Sequence, residues 1–183
     1  MDHYIDIKLI PNKELRENVL LNKVYTLVHK ALGRLTSRVI GISFPDHKFL
    51  LGRTLRLHGN EEILNNFQKL NCLNELENNC KISVIKQVPT NAKHRTVSRK
   101  QCNMTKAKLN RLIKRGKIST DDVKAYKAKM FSQGLDHAYL ELESASNGCK
   151  HRRFIEIGDE QETPVAGMFD TFGLSKQATV PWF

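Results

Sequence analysis

The sequence predicts an α+β fold in two parts. A ferredoxin-like domain comes first, and a smaller, less regular α+β domain with a basic helix follows. The first observation is the order of hydrophobic periods in the first half, β-α-β-β-α-β, which is the split βαβ arrangement. The second is a change of composition near Pro89 to Lys93, which predicts domains at residues 1–92 and 93–183. The third is the pattern of the second half, with two helices followed by strands.

Six segments of the first half carry the predicted elements. Apolar residues that alternate with polar ones predict strands, and a 3.6-residue period predicts helices. Strands are predicted at residues 4–9, 38–44, 53–58 and 82–88, and helices at 15–35 and 61–70. Pro11, Pro45 and Pro89 each follow a predicted strand and end it, because proline has no amide hydrogen for a sheet.

The first predicted helix has an apolar stripe and one histidine outside it. The stripe consists of Leu20, Leu21, Val24, Leu27, Val28, Ala31 and Leu32. His29 lies well away from the centre of this stripe, so we expect it to face away from the core. An imidazole exchanges a proton near neutral pH, which suits acid–base catalysis. An exposed helical histidine also occurs without any function, and the pattern alone leaves both interpretations open.

The second half is predicted to contain an extended piece, two helices and several strands. The extended piece covers residues 97–101, the helices 104–115 and 120–131, and the strands 138–143 and 153–157. Ser146, Asn147 and Gly148 predict a turn between these two strands. The tail that follows alternates loops with short strands.

One stretch, residues 78–120, contains no acidic residue at all. Its cations are Lys81, Lys86, Lys93, Arg95, Arg99, Lys100, Lys106, Lys108, Arg111, Lys114, Arg115 and Lys117. The whole chain carries +11, so the residues outside this stretch net about −1. A concentrated positive field attracts a polyanion, most simply nucleic acid. The alternative is an ordinary solvated surface rich in lysine.

The helix at 104–115 divides into two faces. The cationic face consists of Lys108, Arg111, Lys114 and Arg115. The apolar face consists of Leu109, Leu112 and Ile113. No acidic residue supplies the i, i+4 partners that usually balance such a face. We therefore expect this helix to pack through its apolar side and to present a row of charge to phosphates.

Composition and motifs exclude several classes of protein. No apolar window is long enough to span a membrane, and the first residues lack the basic and apolar regions of a secretory signal. The four cysteines form no C-x-x-C pair, which suits reduced thiols in a cytoplasmic protein. No H-x-x-x-H spacing, P-loop, G-x-S-x-G or G-x-G-x-x-G is present. We expect no metal, no cofactor and no membrane partner.

Motifs from both ends and the middle of the chain resemble those of one family. They are Met1-Asp2-His3-Tyr4, His29, Gly41-x-Ser43-Phe44-Pro45-Asp46, Val97-Ser98-Arg99-x-Gln101, Gly173-Leu174-Ser175-Lys176 and Pro181-Trp182-Phe183. Together they resemble the subtype I-F CRISPR-associated endoribonucleases, the Csy-type nucleases that process repeats. The resemblance implies a ferredoxin-like domain followed by a less regular one with an arginine-rich helix.

The same resemblance implies an activity and partners. Members of that family cut the repeat of a CRISPR precursor RNA at the base of a stem-loop, without metal. They leave a 2′,3′-cyclic phosphate and a 5′-hydroxyl. They then stay on the 3′ hairpin of the guide RNA, together with other Cas subunits of a type I-F surveillance complex.

Family roles transfer to matching positions of this chain. His29 matches the catalytic histidine that deprotonates the attacking 2′-hydroxyl, and Ser144 matches the serine that holds the ribose carrying it. Arg99 and Gln101 match a pair that contacts base edges at the bottom of the stem, which suits their hydrogen-bonding groups. The arginine-rich helix corresponds to Lys108, Arg111, Lys114 and Arg115.

The chain departs from the family pattern at several positions. Phe172 occupies the place of an active-site tyrosine and has no hydroxyl, so ring packing is the role left to it. His151 aligns with an aromatic residue that stacks beneath the terminal base pair. Asn110 and Leu112 stand where a well-known member has arginine. Lysine in such a helix gives point charge without the bidentate fork of arginine.

Three hypotheses remain at this level. The first is a metal-independent endoribonuclease specific for hairpins. The second is a non-catalytic subunit that only holds a guide-RNA hairpin, which Phe172 keeps open. The third is a basic structural protein of the ribosomal type.

Overall fold

Two antiparallel sheets make up the framework of the protein. The computed structural model describes residues 1–101, 106–134, 137–143 and 148–183, with the backbone alone at 131–134. The first part of the chain contains β1 (His3–Leu9), α1 (Glu17–Arg34), β2 (Gly41–Ser43), β3 (Thr54–Gly59), α2 (Glu61–Lys69), a 3₁₀ turn (Asn74–Leu76), β4 (Cys80–Ile82) and β5 (Lys86–Gln87).

The first sheet has the strand order β2-β3-β1-β4, with β5 also paired to β1. This order and the β-α-β-β-α-β sequence confirm the predicted ferredoxin-like domain. The predicted stripe of α1 is buried except for Leu27, which is only partly buried. Tyr25 is buried instead, although its position lies outside the predicted stripe.

The prediction of one strand over residues 82–88 is wrong. The residue numbers of each pair add up to 89 between β1 and β4, but to 90 between β1 and β5. One extra residue therefore lies between β4 and β5. This is a β-bulge. The Ser83 amide donates to the Asp6 carbonyl (2.8 Å), and the Asp6 amide donates to the Ser83 hydroxyl (3.0 Å). The serine side chain thereby replaces a ladder hydrogen bond and divides the strand in two.

The second sheet has the order β7-β8-β6-β9. Its elements are β6 (Lys93–Lys100), α3 (Lys106–Lys114), α4 (Thr120–Gly134), β7 (Tyr139–Glu143), β8 (Lys150–Ile157) and β9 (Thr179–Trp182). The β6 strand is longer than the predicted piece at 97–101, because residues 93–96 pair with β9 and 97–100 pair with β8. Residues 146 and 147 of the predicted turn lie outside the described residues.

The two sheets share one buried hydrophobic cluster. Ile5 and Leu57 contribute from the first sheet, and Val97, Leu140 and Ile155 from the second. The α1 helix also lies beside β7, where the Asn22 side chain accepts a hydrogen bond from the Glu141 amide (3.0 Å). The helix that carries His29 is therefore held against the second sheet. A domain boundary at 92/93 stays a prediction.

Buried His58 makes the stability of the fold depend on pH. Its Nε2 lies 2.8 Å from the Ser43 hydroxyl, and burial, followed by the charge of Arg56, holds its pKa well below the usual 6.5. Below pH 6.5 the unfolded chain therefore binds a proton that the folded chain does not. We expect the free energy of unfolding to fall by up to about 1.4 kcal/mol per pH unit from this group, until the folded pKa is reached.

Urea unfolding at pH 7.0 and 5.5 tests this dependence. A His58→Gln variant should show a smaller difference between the two pH values than the unaltered protein. A His151→Gln variant, which removes an exposed histidine, should keep the full difference. Equal pH dependence in His58→Gln and the unaltered protein would contradict the assignment.

Candidate active site

His29 lies near the C-terminal end of α1 and faces a turn formed by residues 170–174. Its Nδ1 is 2.7 Å from the carbonyl oxygen of Thr171. A carbonyl only accepts hydrogen bonds, so Nδ1 carries the hydrogen and the neutral ring has its lone pair on Nε2. Within the described residues Nε2 has no hydrogen-bond partner. The imidazole is thus held in the tautomer that accepts a proton at Nε2.

Phe172 forms a platform for this imidazole. The two rings are stacked with their centroids 3.6 Å apart and an interplanar angle of 6°. The phenyl ring has no proton to exchange, so stacking is the contact that it offers the imidazole.

The turn that carries Phe172 is fixed from two sides. The Asp170 carboxylate accepts hydrogen bonds from the amides of Phe172 and Leu174, each at 2.9 Å. The Tyr25 hydroxyl donates to the Phe172 carbonyl at 2.9 Å. Burial raises the pKa of Tyr25 far above its usual value, so this hydroxyl stays protonated and remains a donor.

Gly173 connects the same turn to β2. Its carbonyl accepts a hydrogen bond from the Ile42 amide at 2.9 Å. Its φ of +70° lies in the left-handed region, and a Cβ there would come within 2.6 Å of the Ile42 side chain. Both constraints favour glycine at this position.

Arg153 lies beneath Phe172, and the sequence did not point to it. It is only 6% exposed on β8, with its Cζ 3.5 Å from the centroid of the Phe172 ring. Burial lowers the pKa of the guanidinium from its usual value, the charge of Arg99 acts in the same direction, and Asp170 acts against it. In the sequence Arg153 is one of four successive basic residues, 150–153, which gives no sign of burial.

Arg99 and His151 lie in strands of the second sheet, and Gln101 directly follows one of these strands. Arg99 is exposed on β6, diagonal to Arg153 across the pair formed with β8, and exposed Gln101 follows it. Exposed His151 lies two residues before Arg153 on the same face of β8. Ser144 lies outside the described residues. His29 therefore stacks on Phe172, and Phe172 contacts Arg153. Arg99 in turn lies diagonal to Arg153 on the neighbouring strand.

The acid-free stretch is partly neutralised by a later segment of the chain. Ion pairs join Arg95 to Glu160 (2.7 Å), Lys93 to Glu162 and Lys100 to Glu156. The basic face of α3 differs in this respect. All four of its cations are exposed, and within the described residues no acidic residue forms an ion pair with Arg111, Lys114 or Arg115.

The α3 helix is anchored mainly through Leu109, which is 2% exposed. Leu112 is half-buried, but Ile113 is 49% exposed, so the predicted apolar face is only partly covered. The four cations of this helix are thus exposed, and its main buried residue is Leu109.

The described residues contain neither a candidate metal site nor a helix that could span a membrane. No group of three or more His, Cys, Asp or Glu side chains there could hold a metal ion. In the same part of the chain no helix is both long and apolar enough to cross a membrane. The expected absence of a metal stays a prediction.

The fold and the site define an α+β protein that places an oriented histidine at the junction of a ferredoxin-like domain and a second sheet. The family model "CRISPR-associated protein (Cas_Csy4)" matches residues 4–183. The chain therefore belongs to the Cas_Csy4 family of CRISPR-associated proteins.

Two curated relatives align over their full lengths. Both are named "CRISPR-associated endonuclease Cas6/Csy4", one from Escherichia coli (strain UTI89 / UPEC) and one from Pseudomonas aeruginosa (strain UCBPP-PA14). Each is 33% identical to this chain, over 184 and 187 residues, and covers 100% of both sequences. A solved structure described as "An RAMP protein binding different RNA substrates" covers 97% of this chain and 99% of its own, at 12% identity and a TM-score of 0.34.

Proposed function

We propose that this protein is a metal-independent endoribonuclease that cuts CRISPR precursor RNA within its repeat hairpins and then stays bound to the 3′ hairpin. The family and the endonuclease names of both relatives support cleavage. The observation that carries the chemistry is the orientation of His29, with Nδ1 tied to the Thr171 carbonyl and Nε2 open.

The proposed reaction needs only a base and good positioning. The Nε2 lone pair of His29 takes the proton of a 2′-hydroxyl, and the 2′-oxygen attacks the adjacent phosphorus. The bond to the 5′-oxygen breaks, which yields a 2′,3′-cyclic phosphate and a 5′-hydroxyl. Ser144 is proposed to hold the attacking ribose. Phe172 keeps the imidazole in place by stacking and exchanges no proton.

The RNA contacts follow from the surface around this site. The basic face of α3 is proposed to enter the groove of the hairpin and to contact phosphates. Arg99 is exposed on β6 and lies diagonal to Arg153, whose guanidinium contacts the Phe172 ring, so we propose that it faces the RNA near His29. Contacts from Arg99 and Gln101 to base edges would therefore be made at the bottom of the stem, next to the cut. His151 is proposed to lie under the terminal base pair.

A repeat-hairpin RNA incubated with the protein in EDTA tests the activity. Cutting that persists in EDTA and disappears with a 2′-deoxy substitution just upstream of the scissile phosphate supports the proposed reaction. Tight binding of an RNA that stays intact would instead favour a non-catalytic guide-RNA subunit, as the missing hydroxyl of Phe172 allows. Co-purification with other Cas proteins tests the proposed place in a type I-F complex.

An Arg111→Ala variant is expected to bind the hairpin more weakly and with a flatter salt dependence. Arg111 is exposed and has no ion pair within the described residues, so its charge is available to a phosphate. Removing one phosphate contact should lower the slope of log K against log salt by about one unit. Filter binding between 50 and 300 mM salt measures this slope. Lys13→Ala, which removes an exposed charge from the loop before α1, should leave the slope unchanged.

A further inference from the structure

Arg153 occupies a buried position where an aliphatic side chain would cost less free energy than a charged one. Its neighbours on the same face of the second sheet are Leu140, directly across on β7, and Ile155 on its own strand, and both are buried. Burial of a guanidinium is costly unless it is well paired. Its Nε has no hydrogen-bond partner among the described residues. A buried cation with such incomplete pairing calls for an explanation beyond packing.

The arrangement of three side chains gives that explanation. The imidazole centroid of His29 is 3.6 Å from the Phe172 centroid, and the Arg153 Cζ is 3.5 Å from it. Both are van der Waals distances, and two groups cannot occupy one face of the ring at that distance. His29 and Arg153 therefore lie on opposite faces of Phe172.

From this sandwich we propose that Arg153 is a positioning residue for the reaction, which acts on His29 through the Phe172 ring. The guanidinium holds one face of the ring by a cation–π contact, and the opposite face fixes the imidazole so that Nε2 points outward. The planar guanidinium suits this task because it stacks on an aromatic ring. The proposal rests on the proposed cleavage activity of His29.

The test compares Arg153→Met with Arg152→Met. Arg152 is the matched control, since it neighbours Arg153 on β8 but is exposed, with its guanidinium over Tyr139 at 4.5 Å. Single-turnover cleavage by Arg153→Met is expected to fall on the order of 10- to 100-fold, because misplaced reacting groups cost about that much. Hairpin affinity should stay within about twofold, since Arg153 is buried behind the ring. Arg152→Met should cut at the unaltered rate.

Two further variants separate positioning from simple structural support. Arg153→Lys retains the cation and should recover part of the rate that Arg153→Met loses. If Arg153 acted through packing alone, the two variants would cut at the same rate. In a Phe172→Leu background, replacing Arg153 should cause no further loss of rate, because the ring that transmits its effect is absent. The unfolding midpoint of Arg153→Met should match or exceed that of the unaltered protein, since a buried charge has been removed.

The NMR signals of the His29 ring protons give a readout that does not depend on cleavage. Stacking on Phe172 shifts these protons upfield, and Arg153→Met should move them toward the unstacked values. An unchanged rate with unchanged shifts would overturn the proposal. So would a rate loss matched by weaker binding and a flatter salt slope, which would make Arg153 a phosphate ligand. If the unaltered protein does not cut RNA, the proposed function fails, and the shifts still decide whether Arg153 holds the stack.

Discussion

A His29→Ala variant is expected to bind the repeat hairpin as tightly as the unaltered protein and to cut it about 10²- to 10⁴-fold more slowly, the usual contribution of a general base. The reason lies in the geometry. The imidazole is held by the Thr171 carbonyl and by the Phe172 ring, so its open Nε2 is the part available to the RNA. The basic face of α3, which is proposed to supply the affinity, is untouched by the substitution.

Two measurements on the same preparations decide this prediction. Filter binding gives the affinity for a non-cleavable 2′-deoxy hairpin, and single-turnover kinetics give the rate on the all-ribose hairpin. His47→Ala is the matched control, because His47 lies in the turn after β2 and forms no hydrogen bond with residues 170–174. Unchanged cutting by His29→Ala would remove His29 from the catalytic role, and equal losses of affinity and rate would make it an RNA-binding residue.

The order of elements was accessible from the sequence because it depends on local periods. The alternation of β1 and the stripe of α1 each indicate a single face turned to the core, whereas β3 is buried along its whole length. The bulge between β4 and β5 was not accessible, because it depends on the Ser83 side chain bonding to a strand that is far away in sequence. The burial of Tyr25 has a similar cause, since its hydroxyl and ring contact Phe172 in the turn at 170–174, which is far away in the sequence.

The candidate site, too, could be predicted from the sequence only in part. His29 could be predicted to point away from the core, but its partners Thr171 and Phe172 are brought to it by the fold. The sequence did not single out Arg153. It stands in a run of basic residues on β8, where the sequence does not distinguish a buried arginine from an exposed one. The ion pairs of Lys93, Arg95 and Lys100 also depend on strand pairing, and they restrict the open positive charge to fewer residues than the composition suggests.

An Arg56→Met variant is expected to lose about 3–5 kcal/mol of unfolding free energy, because breaking a buried ion pair leaves an uncompensated charge. The Arg56 guanidinium donates to both carboxylate oxygens of Asp6 at 2.6 and 3.1 Å, and the two side chains are only 10% and 18% exposed. It also donates to the backbone oxygen of Phe183 at 3.1 Å and lies over the rings of Tyr4 (4.4 Å) and Phe183 (4.1 Å).

Arg53→Met is the matched comparison for this loss. Arg53 lies just before β3 and pairs with Glu17 at 2.6 Å, but its side chain is 66% exposed, so its removal should cost less than about 1 kcal/mol. Urea unfolding at pH 7 measures both variants. Similar losses of unfolding free energy would show that burial of the Arg56–Asp6 pair adds nothing to stability. Replacing Asp6 by Asn together with Arg56→Met should recover part of the loss, since no unpaired carboxylate then remains.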